Sequence, residues 1–240
     1  MAGEDVGRHV LLLVGSPKPS ESTSEALGSH ILNRLSQKGF STTTVNLPRC
    51  LKSEKEIDDL YREWQKATLI VLAFPLYIDS LPWPVVKAFE LLNERFAGNI
   101  ESNRKGFVVV VNSGFPEQAH NTLAVEMCRF FAVKTGLEWK GGLALGGGPM
   151  VQGQSLNGAH GPLKRLMDAL DMTSESLASG GSVPAEASQL LSRPLIPRGL
   201  YLLMGSHGWK TWAKSNGVKQ RMYDQPFLHR DLMDKTVRKV

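Results

Sequence analysis

"LLLVGSPKPSESTSEALGSHIL", residues 11–32, passes from an unbroken apolar run through small hydroxyl residues into a new periodic pattern. His9 to Val14 is apolar and β-prone, the pattern of a buried strand. From Ser24 to Lys38 the apolar residues Leu27, Ile31, Leu32 and Leu35 fall at helical spacing, and Gly39 ends the run. Strand, polar turn, helix is how many phosphate-binding loops are built. The helix start offers unpaired N–H groups and the positive end of its dipole. Ser16, Ser20, Ser22, Thr23 and Ser24 supply hydroxyls here, and Lys18 a positive charge. A P-loop would need Gly at 20 followed by Lys and Ser/Thr, and a dinucleotide fingerprint would need Gly at 17 and 20; neither is present. Two readings stay open at this point. The loop holds a monophosphate through hydroxyls and backbone N–H, or it is a cluster in which Ser22 or Ser24 caps the helix.

Working outward, strand and helix patterns alternate. "STTTVNL" (41–47) reads as a second strand, and Glu54 to Lys66 as a helix with Ile57, Leu60, Tyr61 and Trp64 on one face. "TLIVLAF" (68–74) is apolar throughout, as strands buried on both faces are. A helix from about Pro84 to Phe96, a strand in "KGFVVVVNSG" (105–114) and a helix from about Gln118 to Thr135 follow. A fifth strand lies in "LEWKGGLALGGG" (137–148), and Leu163 to Leu170 opens another helix. Five β-α units of this length call for an α/β fold: a doubly wound, five-stranded parallel sheet in the order 2-1-3-4-5, with helices on both faces. Residues 174–188 read as a small, polar loop. The domain expectation is a core over 1–175 and a C-terminal extension over 176–240, packing on the same domain or on a partner subunit.

The chain has 240 residues, 42% of them hydrophobic and 21% charged, an ordinary globular balance. Its apolar runs fall far short of the roughly 20 residues of a membrane span. The N-terminal stretch has no signal-peptide character. Two cysteines, Cys50 and Cys128, make neither a disulfide framework nor a four-ligand zinc site, and a cytoplasmic setting is expected. The net charge is +5. Much of the basic excess follows Arg193, where it reads as a solvated tail.

In open α/β sheets the ligand sits beyond the carboxyl ends of the strands, at the switch between strands 1 and 3. Three further loops reach that edge. "FPLYIDSLPWPVVKAF" (74–89) places Pro75 and Tyr77 directly after strand 3, where an aromatic beside a phosphate loop suits ring contact. Pro75, Pro82 and Pro84 stiffen the segment. "NSGFPE" (112–117) brings Ser113 and Gly114 to the edge, with Phe115 as a flank. "GGGPMVQG" (146–153) reads as a turn at the rim.

"VGSPKPSESTSEAL" resembles the first loop of the NAD(P)H-dependent FMN reductases of the flavodoxin-like superfamily, and "FPLYIDSLPWPVVKAFELL" resembles their second flavin loop. The similarity covers about residues 9 to 150. It implies that Ser16, Lys18, Ser22, Thr23 and Ser24 surround the FMN phosphate. Pro75, Leu76, Tyr77 and Ile78 would line the isoalloxazine, with Asn112, Ser113, Gly114 and Phe115 on its far side. Thr23 stands where the family commonly has Asn, and Glu21 adds a carboxylate to the loop. The resemblance implies an oxidoreductase taking hydride from NAD(P)H through FMN to a quinone, a nitro or azo compound or a flavin, as a homodimer. An electron carrier of flavodoxin type, or a scaffold that has lost FMN, are the alternatives. Chemistry of this kind demands no acid/base side chain, so no catalytic residue is named.

Other features read as structural. His120, His160 and His207 are scattered, without metal-ligand spacing. Ser113 lacks the frame of a hydrolase nucleophile. Cys128 lies among apolar helix residues as a packed thiol. The C-terminal Tyr201, Trp209, Trp212 and Tyr223 interleave with Lys210, Lys214, Lys219 and Arg221. Such interleaving also occurs in nucleic-acid and membrane-surface binders. The reading preferred here is core or dimer packing, with the lysines on the wet side. Neither nucleic-acid binding nor peripheral membrane contact is expected. A reach over the partner's flavin is a third possibility.

Overall fold

The computed structural model describes residues 8–18, 22–96, 105–151, 156, 158 and 160–225. Its described chain forms two compact units, Met1–Ile196 and Pro197–Val240.

The first unit is built on strands β1 (His9–Val14), β2 (Ser41–Asn46), β3 (Leu69–Pro75), β4 (Gly106–Asn112) and β5 (Glu138–Leu145). They form one sheet in the order β2-β1-β3-β4-β5, every pair parallel. This is the order expected from the alternation of elements. Helices α1 (Thr23–Gln37), α2 (Leu47–Cys50), α3 (Glu54–Lys66), α4 (Trp83–Phe96), α5 (Thr122–Thr135), α6 (Pro162–Ala178) and α7 (Ala185–Leu191) complete the unit.

The sheet has an apolar layer on each face because successive strand residues point to opposite sides. Val10, Leu12 and Val14 of β1 pack with Leu27, Ile31 and Leu35 of α1 and with Leu166, Leu170, Ala187 and Leu191 of α6 and α7. Leu11 and Leu13 face the other way, toward Leu60 and Trp64 of α3, Val85 and Leu92 of α4, and Cys128 and Phe131 of α5. β3 and β4 are buried almost from end to end, which is why their sequences do not alternate. The edge strand β2 carries Ser41 and three threonines and is mostly accessible. Each fully buried Leu or Val contributes about 1.5–3 kcal/mol through removal from water. α1 lies close on the sheet: a Cβ at Gly28 would meet Leu12 Cδ1 at 2.4 Å.

The structure departs from the sequence reading in four places. Pro75 is the last residue of β3, in register with Asn112, and not the first of the loop. Its missing N–H does no harm there, because the next amide, Leu76 N, donates to Asn112 O at 2.7 Å. Gln118–Asn121 is a separate 3₁₀ turn, and α5 starts only at Thr122. α6 runs on to Ala178, so residue 175 lies inside a helix. The small residues of 174–188, read as loop, fall largely in α6 and α7: Ser174 returns its hydroxyl to Leu170 O at 2.7 Å. Ala187 of α7 is fully buried in the core. Small residues permit close packing as readily as they permit turns, and burial against the core decided which.

The second unit contains helix α8 (Arg198–Ser215), ended by Gly217 in left-handed conformation, and a 3₁₀ turn over Lys219–Arg221. The basic residues Arg230, Lys235, Arg238 and Lys239, singled out in the sequence, lie outside the described residues, as do Ser20 and Glu21.

Candidate functional site at the carboxyl edge of the sheet

All the loops singled out above meet at the carboxyl ends of the strands. β1 leads straight into Gly15, whose amide donates to Ala73 O at 2.8 Å. A Cβ at Gly15 would stand 2.3 Å from Val85 Cγ2 and 2.9 Å from Phe74 Cβ, so the chain turns here between β3 and α4 only because it carries none. Ser16 is buried and Lys18 exposed, and Lys18 N donates to Ser16 Oγ at 3.3 Å. Ser22 is the N-cap of α1, its Oγ accepting from Glu25 N at 3.1 Å.

The next two residues tie this loop to the others. Thr23 Oγ1 donates to Gly148 O at 3.0 Å, joining the loops after β1 and β5. Ser24, nearly fully buried, accepts at its Oγ from Asn112 Nδ2 at 2.7 Å, and the same amide donates to Phe74 O at 3.1 Å. Donor accounting separates the hydroxyls. Thr23 spends its proton on Gly148. The hydroxyls of Ser16, Ser22 and Ser24 each accept an N–H in these bonds and, among the described residues, give their own O–H to no acceptor. The first-turn amides of α1, at Thr23 and Ser24, are the ones a helix leaves without an intrahelical acceptor.

After β3, Tyr77 and Ser80 exchange both backbone hydrogen bonds, at 3.2 and 3.1 Å, around Ile78 and Asp79. Both central residues have positive φ, +50° and +54°. Two left-handed residues make the tight turn that Asn-Gly ordinarily supplies. For the β-branched Ile78 this conformation is strained, and its side chain is 99% exposed. Strain of this kind is characteristic of ligand-contacting loops. Tyr77 is half exposed beside it, whereas Leu76 is buried.

After β4, Asn112 and Ser113 are buried, and Gly114 and Phe115 are exposed. A side chain at Gly114 would point into open space. The Phe115 ring lies 4.4 Å from that of His120. Asn121, invisible to the sequence reading as anything but a helix residue, holds this loop. Its Nδ2 donates to Ser113 Oγ, Gln118 O and Leu145 O at 3.1–3.3 Å, and its buried Oδ1 has no hydrogen-bond partner among the described residues. The glycines after β5 are also more than a turn. A Cβ would meet Pro116 O at 2.2 Å from Gly146 and Asn112 Oδ1 at 2.9 Å from Gly148, while Gly147 has φ +72°.

The thiols are not part of this edge's chemistry. Burial pushes the Cys128 thiol far up, and burial followed by the Glu56 charge pushes Cys50 up to about 11. Both stay protonated at neutral pH.

The arrangement has counterparts among known structures. A FMN-dependent NADH-azoreductase of Bacillus anthracis, solved in complex with FMN, is 12% identical at a TM-score of 0.51, over 71% of this chain and 99% of that one. An NADH:FMN oxidoreductase in its apo form is 15% identical at 0.53, over 80% and 97%. A Streptococcus pneumonia flavodoxin is 15% identical at 0.50, over 72% and 99%. At such identities these likenesses establish the fold alone, and enzymes and a flavodoxin share it. Comparison with curated protein sequences gives no match. A family model described as a flavodoxin-like fold matches residues 8–128, just over half of the chain, from the strand before the hydroxyl loop to the middle of α5. With that match, and with the sheet order described above, the chain belongs to the family of flavodoxin-like fold.

Proposed function

We propose that the protein is an FMN-dependent oxidoreductase that takes hydride from NAD(P)H and delivers it to a small acceptor such as a quinone, a nitro or azo compound or free flavin. The observation that carries this reading is the set of hydroxyls at the start of α1. Ser16, Ser22 and Ser24 retain O–H donors beside a helix N-terminus, a donor set matched to phosphate oxygens and unneeded for capping alone. Lys18 adds charge. Gly15 keeps the cradle open, since any side chain there would collide with Val85.

The isoalloxazine would lie between Tyr77–Ile78 and Ser113–Phe115, where exposed apolar atoms flank exposed backbone. Bound there, FMN supplies the hydride chemistry, accepting from the nicotinamide and passing electrons to the acceptor. The protein's share is placement. Thr23 fixes the phosphate loop to the β5 loop. Asn112 and Asn121 fix the β4 loop, and the Tyr77–Ser80 turn presents Ile78. The bonds that hold these loops are made inside the protein, so the site is preorganised before any ligand enters.

Purified protein that is yellow, and that bleaches when NADPH or NADH is added under nitrogen, supports the proposal. Yellow protein that neither nicotinamide bleaches makes it an electron carrier. Colourless protein that takes up no added FMN overturns both.

A further inference from the structure

The sequence reading assigned the aromatic residues after position 197 to packing. In the structure most of α8 is exposed. Of its residues only Ala213 is buried, while Leu200, Leu202, Leu203, Met204, Trp209 and Trp212 are exposed, Leu203 by 67% and the two tryptophans by more than 60%. Residues 199–206 contain no charged group; helical spacing puts Leu200, Leu203 and Met204 on one side and Leu202 on the other. In the second half, helical spacing places Trp209 and Trp212 on the side of Leu202, and His207, Lys210 and Lys214 opposite. The tryptophan rings touch edge to face at 5.8 Å.

Charge is divided just as sharply. Residues 197–240 hold nine Lys and Arg against three Asp, a net +6, and residues 1–196 hold 19 against 20, a net −1. The whole basic excess of the chain belongs to the segment that displays the apolar helix. A second copy of this chain would bring like charge against like charge at such a surface. Nucleic acid would match the charge but would leave the exposed leucines and methionine in water. An anionic lipid surface satisfies both: acyl chains take the leucines, Trp sits at the headgroup boundary and lysines meet phosphates. Among the described residues no helix is long and apolar enough to cross a membrane, so the contact is made on the bilayer and not through it.

We propose that α8, with Lys210, Lys214, Lys219 and Arg221, docks the protein peripherally on an anionic phospholipid bilayer, the uncharged first half of the helix entering deepest. The inference does not depend on flavin binding. It is tested with the full chain and sedimented vesicles of phosphatidylcholine, with and without about a third phosphatidylglycerol. The expected result is binding to the anionic vesicles, at least about tenfold weaker on phosphatidylcholine alone and falling with added salt. Lys210→Glu with Lys214→Glu, on the polar side, should weaken it by at least about tenfold. Trp209→Ser with Trp212→Ser should do the same with unchanged far-UV circular dichroism. Absence of binding to anionic vesicles overturns the proposal, as does binding that ignores either pair of substitutions. A dimer in solution that the tryptophan variant converts to monomer, without vesicle binding, reassigns the surface to a second copy. Retention on polyuridylate in place of vesicles reassigns it to nucleic acid.

Discussion

The two ends of the same sheet use their polar groups in opposite ways. At the amino edge a groove of about 490 Å³ is lined by Arg8, Phe40, Thr68, Gly106, Glu138 and Lys140, among others. Its lysine and threonine side chains bond to the protein itself. Lys140 donates to Glu138 and to Gly180 O, Thr68 Oγ1 donates to His9 O, and Arg8 lies over the Phe40 ring. Nearby, the buried ammonium of Lys105 bridges Gln65 O and Ala67 O, burial holding its pKa below the usual lysine value. At the carboxyl edge the bonds among the described residues leave serine protons over, and the β3 turn holds a strained, fully exposed isoleucine. The amino end keeps one buried nitrogen, His9 Nε2, without a hydrogen-bond partner among the described residues, but its lysines are engaged by protein acceptors. The proposed binding end differs in having serine hydroxyls whose protons no described residue takes.

The strongest test of this contrast is Gly15→Val. Its side chain has no space beside Val85 and Phe74, so we expect a loss of about 2–3 kcal/mol in thermal or denaturant unfolding, together with loss of FMN uptake. Lys105→Met, at the other edge, removes the donor from two carbonyls. It should cost about 1–3 kcal/mol of stability while leaving the FMN dissociation constant within about twofold. A large change in that constant would break the division between the edges.

Ser16→Ala should behave inversely: stability within about 0.5 kcal/mol of the parent and FMN affinity weakened by about tenfold, read by fluorescence titration. Ser22→Gly sharpens the same point, since glycine preserves an N-cap to within a few tenths of a kcal/mol while removing the hydroxyl. Affinity should fall and melting temperature should not.

The smallest effect belongs to the tie behind the loop. Asp171 of α6 accepts from His30 Nε2 at 2.6 Å and from Arg34 Nε and Nη2 at 2.7 Å, anchoring α1 from its middle turns. Burial raises its pKa, but the hydrogen bonds from Arg34 and His30 outweigh that and hold it below its ordinary value of 3.8. A carboxylate lowered in this way adds stability above the ordinary value and loses it as pH falls through the folded one. Asp171→Asn should therefore cost about 1–2 kcal/mol at neutral pH, a figure reduced for the solvent that reaches the pair, and the difference from the parent should vanish in strong acid.

Most of the first unit was legible in the chain because its signals are local. A strand buried on both faces is apolar at every position, as Leu69–Phe74 and Phe107–Val111 are, and an amphipathic helix repeats near 3.6, as Glu54–Lys66 does. Alternation then leaves few topologies, and the sheet order followed. The loops at the carboxyl edge were legible as well, since a polar turn between a strand and a helix has one place to go. The small-residue stretch 174–188 was misread for the complementary reason: serine, alanine and glycine carry too little side chain to declare a period.

By itself, then, the sequence determined the succession of elements, the parallel sheet and the two loops that face each other across its switch point. Only the tertiary structure decided what those loops do with their hydrogen bonds. Thr23 with Gly148, Ser24 with Asn112 and Asn121 with Leu145 join residues 125, 88 and 24 positions apart, and no local pattern encodes such pairs. It also decided that the Gly146–Gly148 run is required by neighbours it touches, and that Trp209 and Trp212 of α8 stand exposed. Local periodicity records which residues leave solvent together. Which donors remain unspent depends on what long-range folding places beside them.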